Sequence, residues 1–596
     1  MWQDIRRCLA LLAPRLRWRW ALLIPVVLAA AGAETMGAAA VFGLITIIGD
    51  PSQAATLPVA RALVEHLPSR DPHSVVLAFT VLVMAFYVVR NALLAGAVYA
   101  QETIAAASAA DLSHRLLDGY LAAPYAFHFR RNSAVLIRRI IEGVDTIFRR
   151  ALSSAVTMVS ESLVVLGIAA VLAVTAPLPT LAAVVVIVAT LLLPFRLTRR
   201  LFGGWGEEIT RLDIGILQAL HQSLGGLKEV KITGRERFFS REFAWRQEAA
   251  GTVRARHASL AASLRMLVEA VFVCALLLVS LLVTLRTDRS GDAVPMLALF
   301  AYAGFRVVPS ANRLMLNVAQ LRYGRTILRN VADDIASFAR HAAAESPPEQ
   351  ADITFDDAIE LHDVTYAYED GDRVVADIRL AIRRGESIGI VGATGSGKST
   401  LLDLLLGLLT PTSGRITVDG RDIRGGVRSW QRRIGYVPQT TFLIDDSLRR
   451  NVAFGLADGE IDERRVESAV RMAQLSEVAA ALPQKLDTVI GERGVRLSGG
   501  QRQRVAIARA LYTEPEVLVF DEATSALDTQ TERELSAAID ALRGAKTLVV
   551  VAHRLSTVRR CDRLVFLRER RVAAVGSFDR LMSDNADFRR MAAEAD

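Results

Sequence analysis

Gly392-Ala393-Thr394-Gly395-Ser396-Gly397-Lys398-Ser399-Thr400 packs more potential chemistry into nine residues than any other stretch of the chain. Its glycines let successive backbone N–H groups wrap an anion at a helix start, Lys398 supplies a point charge for β- and γ-phosphate oxygens, and the Ser399 hydroxyl can ligate Mg²⁺. The stretch follows the short β-branched run Ser387–Val391 and precedes a Leu-rich helical segment. That is the strand–loop–helix setting a phosphate-binding loop needs. A second apolar run, Val517–Phe520, ends in Asp521-Glu522. A buried strand there would deliver Asp521 to a Mg²⁺ water shell and leave Glu522, next in line, to polarise an attacking water. The chemistry these residues can do together is hydrolysis of a nucleoside triphosphate.

The elements that must position them begin near Ile353, where short β-branched runs alternate with helical stretches and predict an α/β domain built on a parallel sheet. The preceding half is of another kind. The chain is 52% hydrophobic and only 6% aromatic, with mean hydropathy +0.30, too apolar for soluble domains alone. Its 596 residues allow several domains, and disorder and collagen are excluded by the same composition. Six stretches, 20–48, 75–100, 152–175, 178–195, 267–285 and 293–318, are each apolar and long enough to cross a bilayer, which takes about 20 residues. The first is not expected to be a cleaved leader, because its small residues at Ala29–Ala33 run on into further apolar sequence. The net charge of +8 divides into +12 through Glu345 (36 Lys+Arg against 24 Asp+Glu) and −4 after it (35 against 39). Basic residues thus flank apolar segments, pointing to lipid headgroups rather than to nucleic acid. Arg6, Arg7, Arg15, Arg17 and Arg19 precede the first span, so the positive-inside rule predicts both chain ends in the cytoplasm. Cys8, Cys274 and Cys561 lie far apart, and neither a disulfide framework nor a zinc site is expected.

Two connections, 101–150 and 196–266, are charged, carry few helix breakers and keep helical spacing, so they read as helices running on past the membrane. Pro124 and Gly225-Gly226 should turn each back through a short tip helix, near Tyr125–Arg131 and Leu227–Arg235. Ser346-Pro347-Pro348 stops the last helix. The expected layout is therefore a six-helix transmembrane domain over residues 1–341, a linker over 342–352 and a nucleotide-binding domain over 353–596.

Leu497-Ser498-Gly499-Gly500-Gln501 stands shortly before the Asp521 strand and opens a helical stretch. With the phosphate loop and the Asp521-Glu522 strand, it makes the sequence resemble an ATP-binding cassette exporter, in the form of a half-transporter. The resemblance implies an all-α six-helix membrane domain with cytoplasmic extensions followed by an α/β P-loop ATPase, with ATP and Mg²⁺ as cofactors. It also implies roles for residues whose types alone decide little: Tyr368 stacking adenine, Gln439 contacting the metal, Asp528 in the loop crossing between sites and His553 at the γ-phosphate. Ser498, Gly499, Gly500 and Gln501 would close over the γ-phosphate held on the Lys398 loop of a second copy, so that ATP joins two cassettes and a homodimer is implied. Pro124–Phe129 and Leu227–Ile232 are similar to the two coupling segments of exporters, with Ala134 where a glycine is common and Gly143-Val144 before Asp145. The second segment is similar in particular to exporters that flip lipid-linked oligosaccharides, and a bacterial inner-membrane location is implied.

Charges within spans are costly and mark a pathway by default. Glu34, Arg90, Glu161, Arg265, Glu269 and Arg306 fall inside the apolar stretches or at their edges, with Arg313 toward one end. Arg90, Arg265 and Arg306 are the candidates for gripping a phosphorylated headgroup, since guanidinium forks match phosphate oxygens; the alternative is that these charges pair and pin helices together. Pro58–Leu67 reads as a short amphipathic helix able to lie in the membrane interface near an apolar tail. The expected cargo is a lipid-linked oligosaccharide or a similar amphipathic glycolipid, with a pyrophosphate linkage. An exporter of peptides or hydrophobic drugs is the second reading, and a non-transport cassette ATPase, from a different class, is opposed by six spans on the same chain.

Overall fold

The computed structural model describes residues 2–49, 58–66, 71–129, 131–175, 204–206, 208–286, 290–344, 352–368, 371, 373–491, 494–522, 537, 539–552 and 554–595. The chain divides into two compact units, Met1–Ala123 with Arg130–Ala343, and Pro124–Phe129 with Ala344–Asp596.

The first unit is helical. Its main helices are Pro14–Gly49, Pro72–Ala122, Ser153–Thr175, Glu236–Arg286 and Ser290–Ala344, with Trp2–Leu11 before them and Pro58–His66 between the first two. Helices of 51 and 55 residues would extend roughly 75–85 Å at 1.5 Å per residue, well beyond a hydrocarbon layer of about 30 Å, so Pro72–Ala122 and Glu236–Arg286 carry their spans on into the two long connections as single helices, while residues 196–203 lie outside the described residues. Among the described residues four helices are long and apolar enough to cross a membrane: Pro14–Gly49, Pro72–Ala122, Thr146–Ala173 and Glu236–Ala275. The expected span at 178–195 lies outside the described residues, and the sixth falls within Ser290–Ala344. Val88, Val89, Leu77 and Phe305 turn outward and are exposed, as lipid-facing positions of a bundle would be.

Pro124 ends the long Pro72–Ala122 helix: Ala123 is pushed to extended backbone, ψ 146°, because a residue before proline cannot stay helical without a clash. The tip helix covers Tyr125–Phe129, shorter than the sequence suggests, since Asn132 takes its own extended turn and caps the next helix, its side chain accepting from the Ala134 N–H. That helix continues into two π-helical runs, Arg139–Gly143 and Thr146–Leu152. Such widened turns re-aim side chains and often mark functional segments. The second tip helix is Leu227–Ile232, starting after Gly226.

The second unit holds two sheets. Strands β1 (Ala358–Ala367), β2 (Arg373–Arg383), β4 (Ser413–Val418) and β5 (Arg421–Asp422) form an antiparallel sheet in the order β2-β1-β4-β5. β3 (Ser387–Gly392), β6 (Ile434–Val437), β7 (Val517–Asp521), β8 (Thr547–Val551), β9 (Arg563–Arg568) and β10 (Arg571–Gly576) form the second, in the order β10-β9-β3-β8-β7-β6. It is parallel except at β10. The parallel sheet expected from sequence is thus joined by an antiparallel one, whose alternating burial along β2 is the signature of a sheet packed on one face only. By contrast β3 is buried from Ser387 to Val391 and β8 throughout, as strands covered on both faces must be. Trp430, 1% exposed, donates its indole N–H to the Leu405 carbonyl at 2.8 Å and fixes the helix after the phosphate loop to the Val427–Arg432 helix.

Candidate nucleotide site and membrane cavity

β3 and β7 flank β8 and, running parallel, bring the phosphate loop and Asp521 to the same sheet edge. This is the carboxyl end of an open α/β sheet, where ligands bind. The loop's last glycine, Gly397, has φ +99°, and a Cβ there would lie 2.7 Å from the Val374 carbonyl oxygen. Only glycine fits both demands. Lys398, 5% exposed, folds over its own loop and donates to the carbonyls of Gly392 (2.8 Å) and Ala393 (3.1 Å). Burial pulls its ammonium below the ordinary value, while Glu522 and Asp521 pull the other way. The Ser396 hydroxyl oxygen is buried with no hydrogen-bond partner, whereas Thr394 and Ser399 are exposed. A buried orphan hydroxyl beside a lysine whose donors reach only loop carbonyls fits a loop built to hold an anion.

At the end of β7, burial raises the Asp521 carboxyl above its usual range, with Glu522 adding to the effect. The Tyr436 hydroxyl donates to Asp521 at 3.3 Å, across the β6–β7 pair. Glu522 has φ +48°, an uncommon conformation for a side chain of its size. Its carboxylate accepts from the Gln439 amide at 2.6 Å, and its N–H bonds the Val551 carbonyl at 2.9 Å. The structure therefore brings Gln439, Asp521, Glu522 and Lys398 to one place. Neither Tyr436 nor Asp403 is singled out by sequence. Asp403, one and a half turns along the helix from Lys398, is pushed up to about 6, first by burial and then by Asp521.

Tyr368 packs edge-on against Tyr366 (ring centres 5.1 Å apart) and against Phe129 of the tip helix (6.0 Å). Ser498 caps the Gly499–Tyr512 helix reciprocally: its hydroxyl accepts from the Gln501 N–H at 3.3 Å and its own N–H donates to the Gln501 side chain at 2.9 Å. The Ser–Gly–Gly–Gln spacing is thus a capping box with two small residues at the helix start, leaving Gly499 exposed. Asp528 and His553 lie outside the described residues.

The membrane-unit charges separate into groups. Arg90 donates to Glu34 at 2.9 Å, and Arg306 pairs with the same carboxylate, which is 4% exposed. Glu161 pairs with Arg313 at 3.1 Å. Arg265 is brought to neither group. It lines a cavity of about 1240 Å³, together with Arg150, Arg211, Arg254 and Arg322 against Glu142, Asp145 and Asp213.

Residues 375–525 match the family model described as ABC transporter, and residues 26–307 the one described as ABC transporter transmembrane region. The chain is 32% identical over 517 residues to the ATP-dependent lipid A-core flippase of Ralstonia nicotianae, covering 84% of each chain. It is 33% identical over 482 residues to the protein of the same name from Cupriavidus metallidurans, covering 79% of each. A solved structure, of a bacterial Atm1-family ABC exporter with ATP bound, has the same fold, with a TM-score of 0.78 at 24% identity over 97% of this chain and 99% of that one. The phosphate loop, the strand-end acids and the apolar helical half accordingly place the chain in the ABC transporter family, as an exporter half-transporter of the membrane that hydrolyses ATP to drive transport.

Proposed function

We propose that the protein is a homodimeric, ATP-driven flippase of the bacterial inner membrane, whose cargo is an amphipathic glycolipid with a phosphorylated headgroup. In this reading residues 1–341 carry the cargo path, 342–352 link, and 353–596 bind nucleotide. The residues present suit ATP and Mg²⁺. The orphan Ser396 hydroxyl, Lys398 and the N–H groups of Gly395, Gly397 and Thr400 hold phosphates, Ser399, Gln439 and Asp521 hold the metal, and Glu522 orients water. Bound Mg²⁺ would neutralise charge developing on the transferred phosphoryl group. Tyr368 stacks the base, His553 and Asp528 complete the site, and Ser498 with its glycines closes it from the second copy.

The observation that carries the cargo reading is the cavity. Five arginines against three carboxylates line it, and Arg150, Arg211 and Arg265 have no carboxylate partner among the described residues. Unpaired guanidinium groups beside apolar Ile209, Ile214, Leu217 and Met315 suit a phosphorylated headgroup on an apolar anchor. The relatives named lipid A-core flippases support a lipid cargo. Arg90 and Arg306, held on Glu34, serve the helix packing in this reading, and Arg265 the cargo. The test is Arg265→Ala in proteoliposomes containing a fluorescent glycolipid. Flipping should fall about tenfold, a loss of one charge-assisted phosphate contact, while basal ATP hydrolysis stays within about twofold. Unchanged flipping would sink the cargo assignment.

A further inference from the structure

Among the described residues of the membrane unit, the most densely bonded carboxylate is not in the cavity but at Asp334, which is 2% exposed. Its Oδ2 accepts from the Tyr120 hydroxyl at 2.6 Å and from Arg139 Nη1 at 2.5 Å, and its Oδ1 accepts from Arg131 Nη1 at 2.5 Å. Tyr120 is itself 3% exposed, and its ring meets Phe338, one turn beyond Asp334, edge-on at 5.1 Å. Three donors from two stretches of chain therefore converge on one buried acid.

Where those donors stand in the chain matters more than their number. Tyr120 lies just before Pro124–Phe129, and Arg131 and Arg139 lie after it. Those six residues group with the cassette unit, although the chain on both sides of them groups with the membrane unit. The chain passes between the units at three points, Ala123/Pro124, Phe129/Arg130 and Ala343/Ala344. Asp334 is bonded to residues flanking the first two crossings and sits on the Ser290–Ala344 helix that leads to the third. One carboxylate thus ties together every covalent route from the helices to the cassette. A buried charge with this complement is satisfied only when all of its donors are in place, because any donor that leaves strands an unpaired charge away from water. The arrangement favours one geometry and resists intermediate ones.

Resting on the transport reading above, we infer that Asp334 is a positioning residue that locks both stems of the tip segment to the last helix, so that movement of the cassette on ATP binding reaches the spans as a rigid displacement. Asp334→Asn keeps the shape and removes the charge, and Tyr120→Phe removes a single hydroxyl. In the full-length dimer reconstituted in proteoliposomes, either variant should hydrolyse ATP at near-parental rates, while glycolipid moved per ATP falls about tenfold, within the usual range of coupling energies. Asp334→Glu, which keeps the charge, should recover part of that ratio. A cargo-independent readout comes from spin labels at Ala126 and Ala339 in a Cys274→Ser background, whose distance distribution should be narrow in the parent and broad in Asp334→Asn and Tyr120→Phe. Parental coupling together with a narrow distribution in both variants would overturn the inference. If Asp334→Asn fails to assemble, Tyr120→Phe decides alone: broadening supports the lock and a parental distribution rejects it. If the parent moves no glycolipid at all, the cargo reading fails, and the distance measurement still decides the lock.

Discussion

Ser396 and Lys398 each have room for what phosphate oxygens would supply: the hydroxyl has no partner in the protein, and the ammonium donates to two loop carbonyls. Lys398→Ala should therefore weaken ATP binding itself, by about tenfold or more for a buried charge-assisted contact. Glu522→Gln keeps the side-chain shape and an acceptor for the Gln439 amide. It should bind ATP with near-parental affinity while turnover drops about a hundredfold or more, the usual contribution of a positioned base. Nucleotide-binding titrations beside steady-state ATPase rates separate the two variants, and a Glu522→Gln protein with parental turnover would remove Glu522 from its role. Asp403 makes a different kind of statement. Its carboxyl is raised to about 6 in the folded protein by burial and by Asp521, so the folded state holds its proton more tightly than the unfolded chain, whose carboxyl titrates near 4. The sign follows: ionising Asp403 destabilises the fold, with no penalty below about pH 4 and the full penalty above about pH 6. Without nucleotide or Mg²⁺, Asp403→Asn should raise cassette stability at pH 7.5 by about 1 kcal/mol once solvent screening is allowed for, and change nothing at pH 4. Thermal unfolding at the two pH values checks this, and equal effects at both would refute it.

At the scale of elements, the signature helix Gly499–Tyr512 does two jobs with one motif. The Ser498–Gln501 capping box satisfies N–H groups at the helix start, and in the proposed site the exposed Gly499 leaves the same end open to the partner's phosphate. These jobs separate by substitution. Ser498→Ala should cost about 1 kcal/mol of stability, the usual value of a lost cap, seen as a lower cassette Tm. Ser498→Arg should leave ATP binding on the Lys398 loop within about twofold but abolish hydrolysis, because the long side chain would fill the space at the helix start that the phosphate has to enter. Comparing binding with turnover in the two variants tests that division, and wild-type turnover in Ser498→Arg would contradict it. The tip segments show a related economy. Pro124 and Gly226 break the long helices locally, for reasons visible in their residue types. The π-helical turns that follow the first tip arise in no such way: their Arg139 is committed to Asp334 on a helix nearly two hundred residues away, and no local pattern announces it.

At the scale of the whole molecule, the homodimer proposed above requires each copy to close the other's nucleotide site. Cysteines placed at Ser396 and Ser498 should crosslink between copies in Glu522→Gln trapped with ATP and not without nucleotide. Absence of the nucleotide-dependent crosslink would count against the clamp. By itself the sequence determined the division into an apolar helical half and an α/β half, and also the phosphate loop, the strand-end acids and the signature, because each is a contiguous run whose period or spacing carries its physical meaning. It also indicated where Pro124 and Gly226 turn the chain. Tertiary structure alone decided which distant residues meet. Tyr436 reaches Asp521 only because β6 pairs with β7, an adjacency between strands some eighty residues apart in sequence. Arg90, Arg265 and Arg306 read alike as charges in apolar surroundings, yet two of them converge on Glu34 and the third faces a cavity. The cost of a buried charge demands a partner or a ligand but does not say which, and only helix packing chooses between them.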